Sequence, residues 1–225
     1  MRFRGKSNMK TLAFEFSSSR RSVAVLVEGA TRGEAHETGA RHTRAFALIE
    51  SALQNASVDR DEIELIAVGL GPGSYTGIRS SIAIAQGWQA ARAVKLAGVG
   101  SVEAMAAQAH AAGRRGRAQV FIDAQRGEFY FAAYQLAEDA PHLIEPLRIV
   151  TPEEAQTLSQ DVAPLLWPEI AAQFPGGTTC LPDATTIGKL ALAHGEFVEG
   201  AALTPVYLRP VTFVKAPPLR VIPPV

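Results

Sequence analysis

Cysteine is almost missing from this sequence: Cys180 is the only one in 225 residues. A lone thiol excludes an internal disulfide and any CxxC motif, and Cys180 reads as an ordinary small residue rather than a nucleophile. Histidine is sparse as well. His36, His42, His110, His142 and His194 are scattered, with none at metal-ligand spacing from another and no HExxH motif, so no metal site is expected. No G-x-S-x-G elbow is present, and Ser74 lacks a nearby base candidate. Charge of one sign is also wanting, because 22 basic residues balance 22 acidic ones. That balance argues against tight nucleic-acid binding by this chain alone, since neutralising phosphates needs a basic face. The cluster Arg114, Arg115 and Arg117 reads as a solvated turn rather than a binding patch. Nothing resembles a membrane-spanning run or a secretory signal, so cytoplasmic residence is the expectation.

What is present is a hydrophobic content of 47%, enough to bury a core as one large domain or two smaller lobes. Residues 1–8 are basic and aperiodic and read as a leader or disordered arm. Strands are expected over Thr11–Phe16, Ser22–Glu28 and Ala30–Thr38, joined closely enough to pair antiparallel. Glu15 is out of place in an apolar strand. It reads equally as a carboxylate aimed at a ligand and as an end-of-strand residue facing water. A helix follows from His42 to about Gln54, then an apolar strand at Leu65–Val68. Another helix is expected over Ile78–Arg92, a strand over Lys95–Val99, and a helix capped by Ser101 and running to Ala112. Gly113–Arg117 is the expected lobe boundary, dividing an N-terminal lobe (9–115) from a C-terminal lobe (116–225). The second lobe should hold a hairpin from Gln119 to Leu136, a strand over Leu143–Val150 and a helix opened by Thr151-Pro152-Glu153-Glu154. A strand over Val162–Trp167, a brief helix at Pro168–Phe174, a helix capped by Asp183 and a proline-rich tail complete it. No internal repeat is evident.

The stretch around which these elements are organised is Gly71-Pro72-Gly73-Ser74-Tyr75-Thr76-Gly77-Ile78-Arg79, at a strand-to-helix corner. Glycine serves where φ is positive or where backbone or ligand approaches closely, and open N–H groups at such a corner suit an anion. A ligand cradle and a plain structural turn fit these residues equally. The spacing is neither a Rossmann nor a Walker A fingerprint. Arg79, a cation near a helix N-terminus, opposes the helix dipole, so it is expected to meet an anion: a carboxylate of this chain, a partner's acidic residue or a phosphate. The helices His42–Gln54 and Ile78–Arg92 each carry two apolar stripes, more than one buried face needs. We read the excess as a partner surface.

The glycine stretch, followed by Val99-Gly100-Ser101-Val102-Glu103-Ala104, resembles the TsaB (YeaZ) family. So do Leu12-Ala13-Phe14-Glu15, Arg41-His42-Thr43, Ile122-Asp123-Ala124-Gln125-Arg126-Gly127-Glu128-Phe129-Tyr130 and Pro205-Val206-Tyr207-Leu208-Arg209. The likeness runs from about Met9 to Arg209. It implies an α/β fold of two actin/Hsp70/sugar-kinase-like (ASKHA) lobes, each a mixed sheet flanked by helices. The implied role is non-catalytic: a subunit of the machinery that makes N6-threonylcarbamoyladenosine in tRNA. Such a subunit pairs with the catalytic paralogue TsaD, is joined by the ATPase TsaE, forms a homodimer when alone and meets tRNA only through the complex. The implied pairing residues are Ala45, Phe46, Ile49, Ile78, Ile82, Ala85 and Trp88. At the positions of the TsaD metal histidines stand Ser101 and Met105; Glu15 replaces the superfamily's first-strand Asp, and Gln86 a common Lys. Gly71, Gly73, Ser74, Thr76 and Gly77 would then be an inherited nucleotide or phosphate loop without its catalytic complement, needing no cofactor. A peptidase role gains no support without the metal ligands. The rival expectation is a small-molecule kinase or ATPase of the same superfamily that uses the Gly71–Gly77 loop.

Overall fold

The computed structural model describes residues 9–39 and 44–209. The basic leader, the Arg41-His42-Thr43 stretch and the tail from 210 lie outside the described residues.

Two five-stranded sheets form the two lobes. In the first, β1 (Lys10–Glu15), β2 (Arg20–Val27) and β3 (Ala30–Thr38) pair antiparallel, while β4 (Leu65–Gly69) and β5 (Lys95–Val99) run parallel to β1. The order is β3-β2-β1-β4-β5. In the second, β6 (Gly116–Asp123), β7 (Phe129–Leu136) and β8 (Pro141–Val150) are antiparallel, and the short β9 (Leu165–Leu166) and β10 (Thr178–Thr179) run parallel beside β6. Its order, β10-β9-β6-β7-β8, repeats that of the first sheet strand for strand. This duplication leaves no repeat in the sequence, because a topology constrains polarity patterns rather than residue identities.

Strand β4 is buried along its whole length, as a central strand covered on both faces must be. Leu12, Phe14, Val25, Ile66 and Val68 face α1 (Ala45–Ala56) and α2 (Tyr75–Ala91). On the other face the side chains are small, with Ala13, Ala24, Ala67 and Ala97 lying beneath α5 (Ala184–His194). Small residues let that helix approach closely, and a Cβ at Gly188 would stand only 2.6 Å from Leu26 Cδ1. In the second lobe α3 (Ser101–Ala111) packs Val102, Met105 and Ala106 on one face of the sheet, against Val120 and Ile122. Phe121, Phe131 and Phe174 fill the other face together with α4 (Pro152–Leu158).

The sheets therefore divide at Gly113–Arg117, but the helices do not. Helix α3, placed in the first lobe by chain order, covers the second sheet, and α5, placed in the second, covers the first. Residues 198–206 also return to the first lobe: Val198 bridges Leu96, Leu203 joins its core, and the Val206 N–H donates to Leu70 O at 2.9 Å. Chain order cannot reveal which sheet a helix will cover.

Local corrections have local causes. Helix α2 begins at Tyr75 rather than Ile78, because Ser74 is its cap and accepts from the Gly77 N–H. Gly100, not Ser101, caps α3; the Ser101 hydroxyl is engaged elsewhere. The expected strand over Val162–Trp167 shortens to two residues, and Pro168–Gln173 is a 3-10 helix. Among the described residues no helix is long and apolar enough to cross a membrane.

Candidate functional site: the interlobe corner and the open helix face

The glycine corner joins β4 to α2 and sits directly on the β1–β2 turn. Its close contacts are with this chain itself. Gly71 has φ 87° and Gly73 φ 150°, values that side-chain-bearing residues rarely adopt. A Cβ at Gly73 would lie 2.3 Å from the Ser17 carbonyl oxygen and 2.6 Å from Trp167 Cη2. The indole of the second lobe thus closes over the corner. Two of its N–H groups and one carbonyl are committed too. Ser74 N–H donates to Ser17 O at 2.6 Å, Gly77 N–H donates to Ser74 Oγ at 3.3 Å, and Gly71 O accepts from Ser101 N–H at 2.8 Å.

Beneath the corner Glu15 is fully buried, neither facing water nor lining the cleft. It accepts the Ser17 N–H at 2.6 Å, and Ser101 Oγ lies 3.4 Å from it and 2.9 Å from Ser17 Oγ. Desolvation pushes its carboxyl up to about 7, outweighing the Ser17 and Ser101 hydrogen bonds that favour the anion, with a further rise from Asp183. Below pH 4.5 the folded and unfolded chains both hold this proton, and the stabilisation is complete. Between 4.5 and about 7 only the folded chain keeps it, so stability falls as pH rises and levels off above 7. The fall attributable to Glu15 is on the order of 3 kcal/mol. His194, raised chiefly by its hydrogen bond to Glu103, acts in the same sense. Glu15→Gln is expected to flatten the Glu15 part of the profile and leave the His194 part, as urea melts between pH 4.5 and 8 will show.

Between the lobes lies a cleft of about 420 Å³, lined by Ser17–Ser19, Gly73–Tyr75 and Asp123–Gln125 together with Tyr130, Trp167 and Glu169. Trp167 Nε1 is buried there with no hydrogen-bond partner among the described residues. Asp123 is occupied with its own turn, accepting from Gln125 N at 2.7 Å and Gln125 Nε2 at 2.8 Å. Gln86, expected to stand where the superfamily often has a lysine, donates its amide to Gly200 O at 2.8 Å. Met105 is fully buried in the second lobe's core.

Within this chain Arg79 meets aromatic side chains rather than a carboxylate among the described residues. It lies in the second turn of α2, where the dipole penalty has faded, and its partners are aromatic. Its guanidinium stands 5.1 Å from the Tyr75 ring centroid, and hydrogen bonds to Tyr207 and Tyr75 hold its proton still more firmly. Tyr207 in turn stacks on Tyr75 at 5.6 Å. Tyr75, Trp167, Tyr207 and Arg209 are the site residues that the sequence did not assign. The last two fall inside the quoted Pro205–Arg209 motif, whereas nothing in the chain links Trp167 to Gly73.

The seven residues expected at a partner face divide. Ala45, Ile49, Ile78, Ile82 and Ala85 are buried in the first lobe's core, and Trp88 is half-buried against it. Phe46 is 71% exposed. With Arg44, Ala47, Ser80 and Ile84 it borders an open groove between α1 and α2. On α1 both apolar stripes are core apart from Phe46, and on α2 one stripe is core while Ile84 and Trp88 of the other are half-buried. The arginine cluster is engaged within the chain: Arg114 with Ala163 O, Arg115 with His110 O and Arg117 with Glu145. Burial pushes the Cys180 thiol up to about 11, so it stays protonated at neutral pH.

A family model described as TsaD, tRNA N6-adenosine threonylcarbamoyltransferase, matches residues 36–189. The tRNA threonylcarbamoyladenosine biosynthesis protein TsaB of Escherichia coli K12 is 29% identical, over 89% of this chain and 95% of its own length. TsaB of Haemophilus influenzae is also 29% identical, over 93% and 98%. YeaZ from Pseudomonas aeruginosa superposes with a TM-score of 0.74 at 27% identity, covering 89% of this chain and all of its own. The chain belongs to the TsaB/YeaZ family. The two-lobed ASKHA architecture is that of the family, with the paired sheets and helix exchange described above. A second P. aeruginosa structure, titled as similar to peptidase YEAZ, has a TM-score of 0.76 at 27% identity. In this family member the glycine corner packs one lobe on the other.

Proposed function

We propose that this chain is a non-catalytic subunit in the biosynthesis of N6-threonylcarbamoyladenosine in tRNA, pairing with a TsaD-type catalytic paralogue across the open α1–α2 face. The relatives named for this pathway, matched over nearly their whole length, support the pathway. The observation that carries the non-catalytic part is the occupation of the glycine corner by this chain's own atoms. Ser17 O takes the Ser74 N–H, Trp167 closes over Gly73, and Ser101 is bonded to Ser17 and Glu15. A corner consumed in this way packs lobes rather than holding a reacting phosphate. The groove beside Phe46 supports the pairing face, since large exposed apolar side chains next to a concave surface are the usual anchors of protein contacts. A TsaE-type ATPase would join the pair, and the same face would close a homodimer when no paralogue is present.

Reconstitution tests this reading. With a TsaD-type paralogue, a TsaE-type ATPase, tRNA and substrates, formation of the modified nucleoside, read by mass spectrometry of digested tRNA, is expected to require this chain. Undiminished product without the chain would overturn the proposal, as would product or ATP turnover from the chain alone.

A further inference from the structure

The segment Leu203–Arg209 grips both lobes, and two of its grips, on Tyr75 and on Ala124–Gln125, fall on residues that line the cleft. At one end it belongs to the first lobe: Leu203 is in its core, and Val206 N–H donates to Leu70 O. In the middle Tyr207 stacks on Tyr75, with Arg79 beside both rings. At the far end Arg209 reaches the β6–β7 turn of the second lobe. A single guanidinium nitrogen, Nη2, donates to Ala124 O at 2.9 Å and Gln125 O at 3.0 Å, and it also pairs with Glu128. That turn is built to receive it. Gln125 (φ 63°) and Arg126 (φ 60°) are both left-handed without being glycine, a conformation that persists only where surrounding contacts hold it. Asp123 fixes the turn from inside, and the carbonyls of residues 124 and 125 converge on one donor.

The other two chain crossings between the lobes lie side by side. One is α3, leaving β5 for β6; the other is the run from Cys180 into α5. Gln108 of α3 binds them together, donating to Leu181 O at 3.1 Å and Asp183 Oδ2 at 2.6 Å. Two adjacent crossings form an axis about which lobes can rotate, and hinges of this kind absorb their motion in a few residues. The Leu203–Arg209 segment is a separate tie between the lobes.

We propose that Leu203–Arg209 is a clasp that locks the two lobes closed, and that releasing Arg209 or Tyr207 opens the cleft between Gly73 and Trp167. The clasp operates within one chain and does not depend on the pairing proposed above. Its consequence is that the first turn of α2 and the β6–β7 turn move together as long as the clasp is engaged.

The test uses the full chain with Trp88→Phe, which leaves Trp167 as its only tryptophan, and adds Arg209→Ala or Tyr207→Ala. Release is expected to raise acrylamide quenching of Trp167 severalfold. Amide exchange should speed by about tenfold in residues 71–79 and 123–128, a local opening, while β1 and β4 keep their protection. Tyr207→Phe, which keeps the ring and loses the hydroxyl, should fall between. Exchange measured with Trp88 intact gives the same reading if Trp88→Phe perturbs the core. Unchanged quenching and exchange in folded variants would overturn the clasp. Loss of protection spread evenly over both sheets would also overturn it, showing ordinary stabilisation instead.

Discussion

Gly77→Ala is expected to destabilise the protein by on the order of 3 kcal/mol, and Gly87→Ala, ten residues on in the same helix, to stabilise it by about 1 kcal/mol. The chemistry of the two changes is identical: a methyl replaces a hydrogen within α2. In an open helical position alanine gains, because it gives up less backbone entropy on folding than glycine. Nothing lies within 4 Å of a Cβ at Gly87, so that gain is realised in full. At Gly77 the Cβ would stand 2.0 Å from the Phe16 carbonyl oxygen and 3.1 Å from its carbonyl carbon. Both atoms are backbone, continuing from β1 at the centre of a buried sheet, so no side chain can rotate to make room. Either α2 lifts off the β1–β2 turn or the strand bends, and each response also breaks the Ser74-to-Ser17 hydrogen bond. Paired urea melts of the two variants read the difference. Equal effects of one sign would mean that the corner is not packed as described.

The second large effect concerns assembly. Phe46→Asp is expected to leave the fold intact and to weaken pairing with a TsaD-type paralogue by roughly 30-fold or more, the loss typical of an anchor residue. Phe46 lies in the first turn of α1, where an acidic side chain meets the positive end of the helix dipole and costs the monomer nothing. Its exposure means that little core contact is lost. Trp88→Asp is a poorer probe, because Trp88 packs on the core and a charge there would disturb fold and pairing together. Titration of the paralogue against each variant, with light scattering and a melt of each alone, separates the two effects. Unaltered pairing by folded Phe46→Asp would move the interface elsewhere.

Much of the local structure was legible in the chain. Alternating and continuous apolar runs mark β1, β2, β4 and β6, and the turn residues between them mark antiparallel neighbours, because a strand's periodicity and a short loop are properties of adjacent residues. Thr151 and Asp183 cap their helices as expected. Ser101 did not, although its residue type suits a cap, because a buried carboxylate and a second serine compete for its hydroxyl. The same limit governs the partner face. Periodicity showed two apolar stripes on α1 and on α2 but could not tell that the core would take nearly all of both on α1 and one on α2. Ala45, Ile49, Ile78, Ile82 and Ala85 went inward, leaving Phe46 outside.

The glycine stretch marks the division most clearly. By itself the sequence determined that a strand meets a helix at Gly71–Gly77, where its glycines allow positive φ or the close approach of another group. It also determined that histidine pairs, a P-loop lysine and a net basic charge are absent. What occupies the room was decided only by tertiary structure. Phe16, Ser17 and Trp167 come from two other segments, one of them in the opposite lobe, and approach the corner only once both sheets have formed. A missing Cβ records that something comes close; its identity is a long-range property that no local pattern encodes.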